Sequence, residues 1–384
     1  MTVSPRWRGR WPETTAIALV TVAVLLAGWS PAGPRDAAGP PRQVRGEIRG
    51  VDVSGLPARE AAGAVYRDGD RVGDALTLLR GHGADAVRLR LWHTPAGTTG
   101  SLQATLALAR RAAALGMTIL LDLHYSDTWA DPGHQRPPAA WSGLDLPALC
   151  DSVASWTGGV LDALSAQGTP PAVVQIGNEI DAGLLWDTGR VGGEFDTPRQ
   201  WDALARLLAT AAAAVRGRPP RGDRPAVMLH LAGSGDADWC ARFLDRLAAR
   251  GVSWDLVGLS YYPWWHGGLD DLARTLRLLA RRGQPVVVVE TAYPWTLAWY
   301  DDRHNVVGRA DQLLPGFPAS PRGQRDYLAR LWRLVRSLPG GLGRGVVWWS
   351  PEAVSLPGCP SSWENLTLFD HAGHLLPAAS AMAP

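Results

Sequence analysis

Lysine is absent from this 384-residue chain, so all 38 basic side chains are arginine. Against 36 acidic side chains they leave a formal net charge of +2. Residues 1–45 hold six arginines and two carboxylates, a net charge of +4, which leaves −2 for the rest of the chain. A body this close to neutral lacks the basic surface of a nucleic-acid-binding protein, so no nucleic-acid partner is expected.

Cysteine is scarce, with only Cys150, Cys240 and Cys359. There is no CxxC pair and no Cys/His cluster, so neither a zinc site nor a dense disulfide framework is expected. One disulfide with one free thiol remains open, and the sequence does not say which pair would form it. The HExxH, GxSxG and P-loop motifs and a GxGxxG after the first strand are also missing, which argues against metallohydrolase, serine hydrolase and nucleotide-binding sites.

The N-terminus has the pattern of a secretory signal. Arg6, Arg8 and Arg10 precede an apolar run from about Ala16 to Gly28. The run is shorter than the roughly 20 apolar residues of a spanning helix. No clear A-x-A cleavage site follows, so residues 1–30 are interpreted as a signal peptide, with a membrane anchor over residues 14–29 as the open alternative. Residues 31–45 are interpreted as a Pro/Gly/Ala-rich linker.

From Gly46 onward, apolar strand-like segments alternate with helical ones. The predicted strands are Ile48–Val53, Ala86–Leu91, Met117–Leu123, Val173–Glu179, Ala226–Leu231, Leu256–Tyr261, Pro285–Glu290 and Gly345–Trp349. The predicted helices are Ala58–Tyr66, Val72–Arg80, Leu102–Leu115, Leu146–Ser165, Trp201–Arg216, Asp238–Arg250, Leu269–Arg281 and Gly323–Ser337. Continuous apolar strands indicate a parallel sheet, and eight of them separated by helices predict an α/β fold, a (β/α)8 TIM barrel over residues 46–384. An open doubly wound sheet is the alternative.

Polar and aromatic residues lie at the carboxyl ends of these strands, whereas the strand middles are aliphatic. In a (β/α)8 barrel the active site is built at these ends. The residues concerned are Asp52, Arg88, Trp92, His124, Asp127, Asn178, Glu179, His230, Tyr261, Tyr262, Glu290, Trp348 and Trp349. This contrast predicts a functional site at that face of the barrel.

Glu179 and Glu290 end the fourth and seventh predicted strands. A glycosidic bond is hydrolysed by one protonated and one ionised carboxyl group that flank the anomeric carbon. Two neighbouring carboxylates also repel, which raises the pKa of one of them and keeps it protonated. The pair therefore predicts a glycoside hydrolase. The alternative is that each glutamate only pairs with an arginine, such as Arg88 or Arg90.

Other side chains at the same strand ends fit this chemistry. Asn178 is a neutral group able to bond a sugar hydroxyl, although a strand-end cap is the alternative. Arg88 and His124 are expected to orient Glu290 and balance its charge, although His124 is also interpretable as a structural core residue. The 19 tryptophans offer flat apolar faces for sugar rings. Many of them lie in predicted loops, where packing is the alternative role: Trp129, Trp141, Trp186, Trp264, Trp265, Trp295, Trp299 and Trp363.

Several segments together resemble glycoside hydrolase family 53, the endo-β-1,4-galactanases of a large clan of retaining (β/α)8 glycosidases. The matching segments are Gly50–Ser54, Val87–Trp92, Leu121–Pro132, Gln175–Ile180, Gly258–Pro263, Val289–Thr291 and Ser362–Asp370. They occur in the family's order over about residues 47–377. The pair Asn178-Glu179 is shared across the clan, whereas Asp127–Pro132 and Trp363–Asn365 are more specific.

The resemblance implies that Glu179 is the acid/base and Glu290 the nucleophile. It implies β-1,4-galactan side chains of type I arabinogalactan and pectin as substrate, with retention of anomeric configuration. Substrate contacts are expected from Asp52, Arg88, His124, Asp127, Trp129, Asn178, His230, Tyr261, Tyr262, Trp349 and Trp363.

The chain departs from the family pattern at three places. Ser350 stands where the family has the glutamate of Trp-Glu-Pro, so a site carboxylate is expected to be missing. Ala232–Ser234 stands where an Asp- or Asn-containing segment often follows the histidine. Bacterial members often bind calcium in the loop after the nucleophile strand, and the calcium ligands expected here are Asp301, Asp302, His304 and Asn305, although a solvated polar turn is the alternative.

The sequence thus predicts a secreted or extracellular, monomeric endo-galactanase that acts on a polysaccharide. Its chemistry is expected to need no cofactor. Two alternatives remain open at this stage: the same machinery acting on another β-linked glycan, such as mannan or glucan, and a non-catalytic carbohydrate-binding barrel.

Overall fold

The computed structural model describes residues 46–217 and 224–383. The predicted signal or anchor over residues 1–30 and the linker over residues 31–45 lie outside the described residues. Within the two described ranges, no helix has the length and apolarity needed to cross a membrane.

A closed barrel of eight parallel strands forms the centre of the fold. In chain order the strands of the described residues are β1 (Ile48–Asp52), β2 (Tyr66–Asp68), β3 (Arg71–Gly73), β4 (Ala86–Leu91), β5 (Thr118–Leu123), β6 (Val173–Ile176), β7 (Gly183–Leu184), β8 (Gly189–Arg190), β9 (Ala226–Leu231), β10 (Leu256–Tyr261), β11 (Val286–Thr291) and β12 (Gly343–Trp349). The barrel order is β1-β12-β11-β10-β9-β6-β5-β4, and β4 pairs with β1 to close it. The predicted (β/α)8 TIM barrel is therefore confirmed.

Helices cover the outside of the barrel. Those of the described residues are α1 (Leu56–Ala61), α2 (Ala75–Gly81), α3 (Leu102–Ala114), α4 (Leu146–Ala166), α5 (Pro198–Arg216), α6 (Ala237–Ala248), α7 (Pro263–His266), α8 (Leu269–Arg281) and α9 (Pro321–Arg336). Five of the longer ones begin at an Asp, Ser or Thr whose side chain accepts a backbone N–H of the first turn: Ser101, Asp145, Thr197, Asp236 and Ser320. Such caps satisfy donors that have no partner within the helix, so they fix where each helix starts.

The barrel interior and the layer under the helices form two separate apolar clusters. Every barrel strand contributes to the smaller one, which consists of Ile48, Ala86, Leu120, Val173, Ala226, Met228, Leu256, Val287, Val289 and Val347. Because the strands are buried on both faces, they are apolar throughout rather than alternating. Side chains fill the interior, so the functional site lies on top of a packed core.

Two local predictions were wrong. The helices expected over Ala58–Tyr66 and Val72–Arg80 are shortened by an antiparallel hairpin of β2 and β3. The strand expected to reach Glu179 ends at Ile176, because Gly177 has φ +87° and Glu179 has φ +45°. This left-handed backbone cannot continue a strand, so it turns the chain sharply at the mouth of the barrel.

Candidate active site

Glu290 lies near the end of β11 and is held by two donors. One carboxyl oxygen is 2.9 Å from Nη1 of Arg88. The other accepts a hydrogen bond of 3.0 Å from the hydroxyl of Tyr262. The residue is only 5% exposed, so this carboxylate is fixed in direction before any ligand binds.

Glu179 follows β6 at the turn and is more exposed than Glu290. Its Oε1 lies 2.6 Å from the hydroxyl of Ser260, which ends β10 together with Tyr261. No arginine forms an ion pair with Glu179 among the described residues, in contrast to Glu290. The two carboxyls thus differ in the charge of their surroundings.

Burial and neighbouring carboxylates raise the pKa of both carboxyl groups above the ordinary range of glutamate. Burial raises the pKa of Glu179 well above its usual value, and the neighbouring Glu290 raises it further. Burial also raises the pKa of Glu290, but the guanidinium of Arg88 and the hydroxyl of Tyr262 oppose that increase. We therefore expect Glu290 to ionise first, with Glu179 still protonated.

Arg88 is completely buried and joins three carboxylates. Its guanidinium is 2.8 Å from Asp52, 2.9 Å from Asp122 and 2.9 Å from Glu290. It also donates to the side-chain oxygen of Asn178 at 2.9 Å. A buried charge of either sign is stable only when it is paired and hydrogen-bonded, so this cluster depends on Arg88.

The two histidines at the strand ends lie beneath the surface. Nε2 of His124 is 2.9 Å from Asp122, and its Nδ1 accepts hydrogen bonds from the indole of Trp92 and the backbone of Ala130. Burial lowers the pKa of His124 and lowers that of His230 well below its usual value, so both rings are neutral near pH 7. They support neighbouring groups rather than add charge to the site.

Aromatic rings form a continuous row across the mouth of the barrel. Ring centroids are 5.2 Å apart for Trp92 and Trp129, 6.0 Å for Trp129 and Trp349, and 6.3 Å for Trp349 and Trp363. Trp363 then lies 5.5 Å from Tyr262, which bonds Glu290. Trp129 is 47% exposed, so part of this row is open to a ligand.

Arg90 supports the exposed end of the aromatic row. Its guanidinium carbon lies 4.4 Å from the ring centre of Trp92 and 3.9 Å from that of Trp129. Such cation–π contacts hold an exposed ring in place while leaving its outer face free. Trp265 adds a second exposed ring, 6.2 Å from Trp363.

The structure divides the expected substrate-binding residues into two groups. Asp52, His124, His230 and Tyr261 are fully buried and bond to protein groups, and direct contact of these four with a sugar stays a prediction. The hydroxyl of Tyr261, for example, donates to the backbone of Gly267. The aromatic residues Trp129, Tyr262, Trp349 and Trp363 do lie together along the mouth.

The remaining expected residues hold loops or the glutamates. Asp127 accepts backbone N–H groups of Thr94 and Ala139, at 2.8 and 2.7 Å, and so joins two loops. Arg88 orients Glu290, as expected from the sequence. The amide of Asn178 donates to the backbone of Ala130 at 2.8 Å while its oxygen accepts from Arg88.

A family model described as glycosyl hydrolase family 53 matches residues 48–382. The chain belongs to this family. It is 38% identical over 363 residues to the arabinogalactan endo-β-1,4-galactanase of Cellvibrio japonicus, covering 92% of both chains. The GH53 catalytic domain of Ignisphaera aggregans is 34% identical, with a TM-score of 0.81 over 87% of this chain and 95% of that domain. A structure of fungal β-1,4-galactanases is 31% identical, with a TM-score of 0.76 over 87% of this chain and 98% of that one.

A buried carboxyl group lies close to Ser350 in this family 53 chain. Glu352 is fully buried, and neither of its carboxyl oxygens has a hydrogen-bond partner among the described residues. Burial raises the pKa of Glu352 to about 8, and the nearby carboxylate of Asp52 adds to the increase. Ser350 itself carries no carboxyl group, but the buried acid Glu352 lies two residues further on.

The loop after β11 does not bring the expected calcium ligands together. Asp301 accepts from the hydroxyl of Ser355 and the backbone of Ser361, and Asp302 and His304 are exposed. Asn305 is buried and donates to Glu364. The side-chain oxygen of Asn305 lacks a hydrogen-bond partner among the described residues, but it offers a metal ion only one oxygen ligand.

No group of three or more His, Cys, Asp or Glu side chains in the described part of the chain is arranged to hold a metal ion. The four expected ligands therefore do not fit calcium in this arrangement. The physical reason is that the carboxylate of Asp301 already accepts hydrogen bonds from the hydroxyl of Ser355 and the backbone N–H of Ser361. Cys150, Cys240 and Cys359 are free thiols in this structure, so the disulfide that the sequence left open is not formed.

Sequence reasoning missed three polar groups that organise the site. Asp122 and Gln175 are buried within strands and bond each other at 2.6 Å, and Gln175 also accepts from Arg88 at 3.1 Å. Ser260 contacts both Glu179 and His230. An isolated polar residue inside an aliphatic strand was the available signal for Asp122 and Gln175. Ser260 has no comparable signal.

Proposed function

We propose that this family 53 glycosyl hydrolase cleaves β-1,4-galactan internally, with retention of anomeric configuration. Glu290 is the nucleophile and Glu179 the general acid/base. The single observation that supports this division of roles is the contact of Arg88 with Glu290 and not with Glu179. A cation at 2.9 Å favours the ionised form, which a nucleophile needs, and its absence favours the protonated form, which an acid needs.

In the first step, a lone pair of the Glu290 carboxylate forms a bond to the anomeric carbon. The glycosidic bond breaks, and its electron pair goes to the leaving oxygen, which takes the proton of Glu179. In the second step, Glu179 removes a proton from water while the water oxygen bonds the anomeric carbon and releases Glu290. The hydroxyl of Tyr262, which donates to Glu290, holds the nucleophile during both steps.

The substrate class is supported by the aromatic row and by the relatives. The row from Trp92 through Trp129 and Trp349 to Trp363 is longer than one sugar ring, so it suits a polymer. The Cellvibrio japonicus and fungal relatives are named as galactanases. We further propose that residues 1–30 direct export and that residues 46–384 act as a secreted monomer without a cofactor in the chemistry.

The test uses Glu179→Gln and Glu290→Gln with β-1,4-galactan as substrate. Each change keeps the shape of the side chain but removes its acid chemistry, so turnover is expected to fall by about 10³-fold or more. The thermal unfolding midpoint should remain within a few degrees. Proton NMR of the first product should show the β-anomer before mutarotation; an α-anomer would contradict retention.

A panel of galactan, mannan and glucan tests the substrate. Release of reducing ends from galactan at least about tenfold faster than from the others is expected. Binding of galactan without any release of reducing ends would contradict the proposed enzyme activity. Faster release from mannan or glucan would leave the roles of the glutamates intact but contradict the substrate.

A further inference from the structure

Asp181 lies two residues after Glu179, in the single 3-10 turn Ile180–Ala182. Its two carboxyl oxygens accept the backbone N–H groups of Ala232 and Gly233, each at 2.7 Å. These N–H groups belong to the segment that follows β9. A carboxylate with two such donors is a strong, directional link between two neighbouring loops at the barrel mouth.

The segment Ala232–Ser234 has no acidic or amide side chain of its own. Asp181 supplies a carboxylate there from the neighbouring loop. Gly233 makes room for it, since a Cβ at this position would lie 3.1 Å from Oδ1 of Asp181 and 2.8 Å from the ring of Trp239. The close approach of carboxylate and backbone thus depends on glycine.

The same segment holds Ser260. The hydroxyl of Ser234 donates to the backbone oxygen of Ser260 at 2.5 Å, and Thr275 donates to the backbone oxygen of Ser234 at 2.7 Å. The hydroxyl of Ser260 in turn lies 2.6 Å from Oε1 of Glu179 and 2.9 Å from Nε2 of His230. Together with the backbone between them, these hydrogen bonds form a ring. It leads from Asp181 through Ala232–Ser234 and Ser260 to Glu179, which lies two residues before Asp181.

We propose that Asp181 is a positioning residue for the acid/base: it fixes Ala232–Ser234, which holds Ser260 against Glu179. The inference rests on the role proposed above for Glu179. Asp181 does not touch the reacting atoms. It acts on the direction of the Glu179 carboxyl group, and misdirection by a fraction of an ångström reduces proton transfer to the leaving oxygen.

The experiment compares Asp181→Asn with the unchanged enzyme on two substrates. Galactan has a leaving oxygen that needs a proton, whereas a 2,4-dinitrophenyl β-galactobioside has a leaving group that departs without one. We expect kcat/KM on galactan to fall by about tenfold and kcat/KM on the dinitrophenyl substrate to change by less than about twofold. A purely structural role would lower both values equally.

Two further variants keep the test decisive. Ser234→Ala removes only the hydroxyl that holds Ser260, so it should show the same selective loss even if Asp181→Asn folds poorly. Asp236→Asn is the matched control: Asp236 lies in the same loop, and its side chain caps α6 without a hydrogen bond to Asp181, Ser234 or Ser260. It should leave both kcat/KM values within about twofold while thermal unfolding reports any loss of the cap.

The outcomes separate this inference from the proposed function. Equal losses on both substrates, or no loss on either, in Asp181→Asn and Ser234→Ala would overturn the positioning role. Glu179→Gln serves as the reference, since a true acid should show the largest selective loss on galactan. If Glu179→Gln itself shows no selectivity, the assignment of the acid fails, and the inference about Asp181 fails with it.

Discussion

Replacement of Arg88 by glutamine is the most informative single change at this site. It removes a completely buried charge that contacts Glu290, Asp52 and Asp122 at 2.8–2.9 Å. Glutamine retains hydrogen-bonding groups but carries no charge. Three buried carboxylates then remain near one another without this partner, and they are expected to take up protons instead.

The size of the effect follows from the burial of the pair. Removing one partner of a buried ion pair costs about 3–5 kcal/mol. Arg88 lowers the pKa of Glu290, and a loss of about 3 kcal/mol corresponds to an increase of about 2 pKa units. A nucleophile must be ionised, so activity rises with pH through the pKa of Glu290. We therefore expect the acidic limb of the pH profile to move upward by about 2 units.

The assay is kcat/KM on galactan from about pH 4 to pH 9, because this parameter reports ionisations of the free enzyme. On the acidic limb, Arg88→Gln should lose about 100-fold, and the loss should shrink as the pH rises. Arg49→Gln is the control, since Arg49 pairs with Asp85 at the partly exposed foot of the barrel. Such a pair contributes about 0–1 kcal/mol, and its loss should leave the pH profile unchanged.

The result that would refute the reasoning is an acidic limb of Arg88→Gln that coincides with that of the unchanged enzyme. A lower thermal midpoint with an unshifted limb would mean that Arg88 stabilises the fold but does not set the ionisation of Glu290. The assignment of Glu290 as the nucleophile would then lose the observation that supports it.

Two further predictions concern stability and binding. Burial raises the pKa of Glu352 to about 8 from 4.5, so stability should fall as pH rises through this window, where the unfolded chain ionises and the folded chain does not. Glu352→Gln should therefore show a smaller fall of the thermal midpoint between about pH 5 and pH 8 than the unchanged enzyme; parallel curves would contradict this. Trp129→Ala removes an exposed ring of the aromatic row and should raise KM for galactan by about tenfold with kcat within about twofold. A lower kcat at constant KM would contradict a role in uniform substrate binding.

Several features of the site were predictable because they depend on local sequence patterns. Eight apolar segments separated by helical ones predict a barrel, since each segment must be buried on both faces. Glu290 lies near the end of such a segment, Asn178 and Glu179 closely follow one, and Arg88 lies within another. The hairpin of β2 and β3 was not predictable in this way, because its three-residue strands are too short to show a period.

Burial was the main property that strand ends did not reveal. His124, His230 and Tyr261 follow the same pattern as Glu179, yet they are fully buried and bond protein groups, whereas Glu179 is partly exposed. Side chains at the end of a strand point inward or outward depending on where the strand stops and how the next loop covers it. For β6 that point is Ile176, three residues earlier than the sequence suggests.

By itself, the sequence determined the barrel, the two glutamates and their resemblance to family 53, because these depend on residue types at short spacings. The tertiary structure alone decided how Ser260 reaches Glu179 and how Asp181 reaches Gly233. Ser260 and Glu179 are 81 residues apart in the chain, and Gly233 and Asp181 are 52 residues apart. Only the closure of the barrel brings such distant strand ends to one place, and the charges found there set the different proton affinities on which the chemistry depends.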